Sequence, residues 1–389
     1  METKANEILF VSHNASRSGA PLILLGIIRE FKNLYKGKLK VLLMEGGELQ
    51  EDFQSLADTY ILYKQPRFIL QSKKGFAAKF LKLLYNIKAR IILARLKKCR
   101  LVFLNTITNG HIHRKLISPG RKFMTYVHEL ESSTKFGTDA IALTTVLKHS
   151  NYFWTGSEVV RDFLVEGKQV PPGITEVVYS SLADINPNRH YFSEFIDSLK
   201  KQFQIPTDAF IVGVVANAEW RKGFDFLFPL VKIYLEKYPD GKAIFLWKGY
   251  NTGSKSYYFD TFDLKKTGID KRIILLPHDA SNLATIAALD AHLLLSREDP
   301  FPLVVLEAAS LEIPTICFRD AGGSPEFVSG DAGICVDYGN LIQVAEAIYE
   351  LENNAAKRIE MGAKAKSRLS QGYSSKDAAL RLLTLVEKM

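Results

Sequence analysis

The run Ser296-Arg-Glu-Asp-Pro-Phe-Pro-Leu-Val-Val-Leu-Glu-Ala308 sets two acids ahead of a helix start and a third inside the helix. The apolar stretch Ala291–Leu295 before it predicts a strand, and two prolines punctuate the turn. The helix is expected to open at Pro302 or Leu303, because proline's fixed φ and missing N–H suit a first helical position. Glu298 and Asp299 then stand just before that start, and Glu307 lies in the second turn. A strand's carboxyl end feeding a helix is where open α/β sheets bind ligands, and the free N–H groups of a helix start favour anions. The plainer reading is that Glu298 or Asp299 caps the helix. A second run, Trp220-Arg-Lys-Gly-Phe-Asp225, sets Lys222 beside Gly223 at another helix start. Lys222 there either meets an anion or is an ordinary solvated lysine. His13 and His128 each end a strand-like run, where a histidine either lines a site or packs.

Other chemistries lack their motifs. The chain has no G-x-G, no G-x-x-x-x-G-K-[ST] and no G-x-S-x-G, which removes the dinucleotide fingerprint, the P-loop and the hydrolase elbow. Its eight His residues form no H-E-x-x-H, and His111 with His113 reads as a loop or helix start. No two Asp residues stand two apart, so no D-x-D pair is available to hold a divalent cation against a diphosphate. No metal site and no cofactor are expected, and any phosphate bound here must be neutralised by protein groups.

The elements that must position these residues alternate short apolar runs with longer amphipathic segments. Strands are expected at Ile8–Ser12, Leu39–Met44, Leu101–Asn105, Phe123–Val127 and Val177–Tyr179. A second series follows at Phe210–Val215, Ala243–Trp247, Ile273–Leu276, Ala291–Leu295, Thr315–Phe318 and Gly333–Val336. Such alternation predicts parallel sheets covered by helices on both faces, in two similar α/β domains. The boundaries expected are 1–185 and 190–371, joined through Ile185–Arg189, with Tyr191–Phe203 as the helix leading into the second domain. Residues 340–371 read as terminal helices, and 372–389 as a last helix that crosses back to the first domain.

Taken in order, these segments resemble the retaining glycosyltransferases of family four, which have the GT-B fold, two Rossmann-like domains facing a cleft. Asp299 and Glu307 match the family's E-x7-E pair, with Asp in the first place. Ala321-Gly-Gly-Ser-Pro-Glu326 with Gly330 and Gly333 resembles its next loop, and Lys222-Gly223 its phosphate-binding turn. Ser18-Gly-Ala-Pro21 resembles the glycine loop, Tyr126-Val-His-Glu129 the strand-end histidine, and Thr155–Glu158 with Val160–Phe163 continues the likeness. It spans nearly the whole chain, strongest over 210–340 and weakest over 50–120.

The resemblance implies a donor held by Lys222, Asp299, Glu307 and the backbone of Phe301 and Leu303. Glu307 would accept from the ribose hydroxyls, Asp299 would hold the sugar and His128 would face it. Gly19 would let backbone approach the reacting groups, although a simple turn also explains it. Relatives usually carry an Arg about five residues before the lysine; Asn217 stands there, with Arg221 as the nearest substitute. The activity expected is metal-independent, retaining transfer of a sugar from a UDP- or GDP-linked donor to a glycan or lipid-linked acceptor. Donor binding is expected on the second domain and acceptor binding on the first. A noncatalytic GT-B partner of another transferase, and a nucleotide-sugar epimerase or phosphorylase of the same fold, are the alternatives.

Charge distribution adds an acceptor class. The 389 residues carry a formal +9, but Thr59–His128 alone holds 16 Lys and Arg with no acid, leaving −7 for the remainder. Within that block 75–98 reads as a helix with Phe76, Phe80, Leu83, Leu84, Ile87, Ile91 and Ala94 on one stripe and Lys79, Lys82, Lys88, Arg90, Arg95 and Lys97 off it. It is either a core-packed helix with a solvated back or a surface that meets anionic lipid or an anionic acceptor. Nucleic acid is not expected, since no recognition motif accompanies the charge. Hydrophobics at 47% suit a globular chain, three scattered cysteines suit a reducing compartment, and Met1–Asn6 offers no signal peptide. A cytoplasmic location, peripheral to the membrane's inner face, is the expectation.

Overall fold

The computed structural model describes residues 7–63, 76–182, 187–279 and 281–388; the side chains of residue 63 and of 76–84 fall outside that description. The chain divides into two compact units, Met1–Ala183 with Ser374–Met389, and Asp184–Tyr373. Each unit is one parallel sheet flanked by helices.

The first sheet holds β1 (Ile8–Ser12), β2 (Leu39–Glu45), β3 (Asp58–Tyr63), β4 (Leu101–Leu104), β5 (Lys122–Val127), β6 (Tyr152–Thr155) and β7 (Thr175–Val177). Their order is β3-β2-β1-β4-β5-β6-β7. The second holds β8 (Phe210–Val215), β9 (Ala243–Tyr250), β10 (Ile273–Pro277), β11 (Ala291–Leu294), β12 (Thr315–Phe318) and β13 (Gly333–Val336), in the order β10-β9-β8-β11-β12-β13. Every residue of β1 and of β8 is buried, which is why central parallel strands read as unbroken apolar runs. Both orders reverse once, between β1 and β4 and between β8 and β11. A crevice opens at such a switch point, at the carboxyl ends of the strands.

These two Rossmann-like sheets fulfil the GT-B expectation of fold class. Two strands of the first sheet, β3 and β6, had no counterpart among the expected runs, and β7 lies at Thr175–Val177 where Val177–Tyr179 was expected. The first unit takes the last helix, Ser375–Glu387, through buried Ala378, Ala379 and Leu382. Leu182 pairs with Ser374, and Arg381 reaches Glu176 at 2.6 Å. Of the expected join at 185–189, residues 185 and 186 lie outside the described residues, and Arg189 opens a 3-10 turn, Arg189–Phe192, capped by Asn188. Among the described residues no helix is long and apolar enough to cross a membrane.

The helix expected at 75–98 spans Phe76–Arg95, but its inner face differs from the expected stripe. Ala89, Ile92 and Leu96 pack against Leu9, Leu42 and Leu62, while Ile87 and Ile91 are 45% and 51% exposed. Ile, Leu and Ala occur on both faces of this helix, and the sheet covers the stripe about one residue around from the one the spacing suggested. Lys79, Lys82 and the Phe76–Leu84 half of that stripe lie outside the described side chains.

Candidate donor and acceptor sites

The second unit's site is built on the loops leaving β8 and β11, its switch-point strands. The first loop makes a single 3-10 turn, Trp220–Lys222, closed by Gly223 at φ 76. A Cβ on Gly223 would stand 2.1 Å from the carbonyl oxygen of Leu295, so only glycine lets the turn lie against the end of β11. Lys222 Nζ donates to Asp299 Oδ2, and Ser296 Oγ donates to the same oxygen at 3.2 Å. Arg221 Nη1 donates to the carbonyl of Glu298 at 3.0 Å and stands 3.9 Å from Asp299 Oδ1. Lys222, Arg221 and Asp299 therefore meet.

Asp299 is 5% exposed and held through its own backbone. Its N–H donates to Ala321 O at 2.7 Å, and its carbonyl accepts from Gly323 N–H at 3.1 Å. Between them Gly322 has φ 126, and a Cβ there would fall 1.8 Å from the Asp299 carbonyl oxygen. The expected loop 321–326 thus serves as the mount of Asp299. The helix runs Leu303–Ser310 with Pro302 as its N-cap, a residue with no side-chain cap bond, while the Asp299 carboxyl is taken by Lys222 and Ser296. Phe301 is buried and stacks on Tyr373 at 5.7 Å, and Leu303 is buried at the helix start. Glu307, one turn further, is partly buried, and burial pushes its carboxyl up to about 7. Asn217 stands on the loop leaving β8, near the backbone of Gly249.

One feature escaped the sequence reading. Arg297 sets its fork on Asp225 at 2.7 and 2.6 Å and donates to Trp220 O at 2.5 Å, while its N–H donates to Arg221 O at 2.8 Å. The guanidinium lies 5.0 Å from the Trp220 ring centroid and 3.9 Å from that of Phe226. Bidentate, charge-assisted pairs are the strong and directional ones, so this clamp ties the Lys222 turn to the Asp299 loop. Both residues lie inside quoted segments; opposite charges at two strand ends were the available signal.

In the first unit the switch point gathers His13, Asn105, His128 and Glu129. Asn105 Nδ2 donates to Ala20 O at 2.7 Å, which turns its Oδ1 toward His128 Nε2 at 3.2 Å. Nε2 therefore carries the proton and Nδ1 is left as an acceptor. Burial, reinforced by His13, holds the His128 pKa down at about 3, so the ring is neutral at physiological pH. Among the described residues His13 Nδ1 is buried with no hydrogen-bond partner, and burial lowers the His13 pKa as well. The Glu129 carboxyl accepts from Thr106 Oγ1, from Ile107 N–H at 3.4 Å and from His128 N–H at 2.8 Å. Burial outweighs those bonds and pushes it up to about 7. Gly19 opens the helix Gly19–Leu34, and nothing lies within 4 Å of where its Cβ would be. Neither crowding nor a positive φ demands glycine there. Among the described residues no three His, Cys, Asp or Glu side chains gather as metal ligands.

Two parallel sheets of this order, each with polar groups collected at its switch point, define the chain as one of GT-B architecture. Residues 195–368, which lie in the second unit, match the family Glycosyl transferases group 1. The chain is 24% identical over 242 residues to the capsular polysaccharide biosynthesis glycosyltransferase CapM of Staphylococcus aureus, covering 61% of this chain and 58% of CapM. It is 24% identical over 280 residues to N-acetyl-alpha-D-glucosaminyl L-malate synthase of Bacillus anthracis, covering 68% of each. The match thus spans little more than half the length of CapM. The crystal structure of Anabaena HepE with UDP and glucose superposes with a TM-score of 0.78 at 17% identity, covering 99% of this chain and 100% of HepE. That likeness shows a shared fold.

Proposed function

We propose that the chain is a retaining, metal-independent glycosyltransferase that moves a sugar from a nucleotide diphosphate donor to a glycan or lipid-linked acceptor. The observation that carries this reading is the meeting of Lys222, Arg221 and Asp299 at the switch point of the group 1 domain. Breaking a nucleotide–sugar bond builds negative charge on the departing diphosphate, and two cations on a rigid turn can stabilise it. Asp299 holds both in place and receives the donor sugar. Glu307, for which no hydrogen bond or ion pair of its carboxyl is found among the described residues, accepts from the ribose hydroxyls. The acceptor is taken by the first unit, where His128 presents a neutral Nδ1 acceptor and Gly19 leaves backbone N–H groups open to approach. Attack proceeds on the face the leaving group departs from, and a diphosphate oxygen takes the acceptor's proton.

The proposal includes a cytoplasmic enzyme that touches anionic membrane through its 75–98 segment. Exposed Ile87 and Ile91 beside exposed Arg90 and Arg95 support it, since lipid-surface helices combine apolar area with basic charge. A calorimetric titration with UDP and with GDP tests the donor reading. One of the two should bind, and Lys222→Ala should weaken it by roughly 10- to 100-fold, the loss of a charge-assisted contact. Binding of neither nucleotide by the wild type would sink the reading.

A further inference from the structure

The second unit presents a helix face that the donor chemistry does not use. The helix Lys255–Thr267 follows β9 and buries Leu264 against the core, with Tyr257 packed beside it and Asp260 bonded to the hydroxyl of Tyr250. On the opposite side Lys255, Tyr258, Phe259, Phe262, Lys265 and Lys266 recur at spacings of three and four, which sets them on one stripe. Tyr258, Phe259 and Phe262 are 67%, 61% and 50% exposed. Lys266 Nζ lies 5.7 Å from the Phe262 ring centroid, and none of the three lysines has an ion pair among the described residues. The helix's own acids lie off this stripe, Asp260 turned inward and Asp263 at its margin.

We propose that this aromatic and lysine face docks on an anionic phospholipid bilayer. Three large rings standing in water on one helix are a patch that needs covering, and unpaired lysines around them name the sign of what covers it. Aromatic rings settle at the headgroup level, while lysine stems lie along apolar surface and carry their ammonium groups to the phosphates. The face is a convex helix, which meets a flat bilayer but cannot wrap a sugar chain. The inference goes beyond the donor reading and uses only residues of the second unit, none of them in the nucleotide site.

Flotation of the full chain with phosphatidylglycerol–phosphatidylcholine vesicles tests it. Replacing Lys255, Lys265 and Lys266 by Gln together should cut partitioning at low salt on the order of 100-fold, about fivefold per charge. Replacing Tyr258, Phe259 and Phe262 by Ser should remove the part of binding that survives raised salt, with UDP titration and melting temperature unchanged. Phe262→Trp should add fluorescence that headgroup-level nitroxide lipids quench. Partitioning unchanged in both triple variants, or an unquenched Trp at position 262, would overturn the proposal. So would a dimer in light scattering that the aromatic replacements convert to monomer, since the patch would then be a self-interface. Loss of partitioning only on neutralising Lys79, Lys82, Lys88 and Arg90 would overturn it too, while sparing membrane contact through 75–98.

Discussion

Lys222 and Asp299 are bonded to each other, so a diphosphate must compete with a buried carboxylate for the ammonium. That pairing keeps a cation oriented where isolated lysine would swing freely. Glu307 differs, because among the described residues its carboxyl has no such cation and burial pushes it up to about 7 from the ordinary 4.5. A raised carboxyl pKa contributes stability in full below 4.5 and loses it as the pH climbs through about 7. Ribose hydroxyls favour the ionised form, so nucleotide binding near pH 7 should release a proton and tighten between pH 6 and pH 8. Glu307→Gln should reduce that proton release, read by calorimetry in buffers of different ionisation heat, and shallow the fall of melting temperature above pH 5. Some slope will remain, because Glu129 is raised to a similar value. Unchanged proton release would put the ribose elsewhere. Lys222 and Asp299 could be placed from sequence because Gly223 and Pro300 stand beside them at turns, and Glu307 by its spacing from Asp299 within the next helix. The Arg297–Asp225 clamp could not be, since two loops 72 residues apart meet only once the sheet closes.

At the scale of elements that clamp joins the turn after β8 to the loop after β11. Arg297→Lys keeps the charge but loses the fork and the stacking on Trp220 and Phe226. We expect it to weaken UDP binding several-fold and to lower the melting temperature. A double-mutant cycle with Asp225→Asn should give a coupling of about 1 kcal/mol, modest because Asp225 is 55% exposed. Additive effects would mean that the pair does not hold the turn. Central strands such as Phe210–Val215 and Thr315–Phe318 were readable to the residue because both faces are buried. Asp58–Tyr63 was not, as it opens on polar Asp58 and Thr59 and stands at the sheet edge. The face of the helix Phe76–Arg95 was misjudged for another reason. Apolar residues on both its sides leave the choice to the sheet, which took Ala89, Ile92 and Leu96.

Over the whole molecule the formal +9 is the sum of +16 on the acid-free stretch Thr59–His128 of the first unit and −7 on all the other residues. Part of the block is structural. Arg121 donates to the carbonyls of Leu96, Lys97, Cys99 and Leu116, satisfying the end of the basic helix from below. Arg90 and Arg95 stand exposed on the same helix as exposed Ile87 and Ile91. Neutralising Lys79, Lys82, Lys88 and Arg90 together should weaken binding to anionic vesicles and flatten its salt dependence, as four charges at ~1 kcal/mol each require. Equal binding before and after would leave the helix an ordinary flank of the sheet. The donor chemistry is tested most directly by hydrolysis, because a transferase slowly passes its sugar to water with no acceptor present. UDP- and GDP-sugars incubated with the chain in excess EDTA should release UDP or GDP, and Lys222→Ala should abolish the release. Release that requires an added divalent cation, or no release from any donor that binds, would contradict a metal-independent transferase built on Lys222 and Asp299.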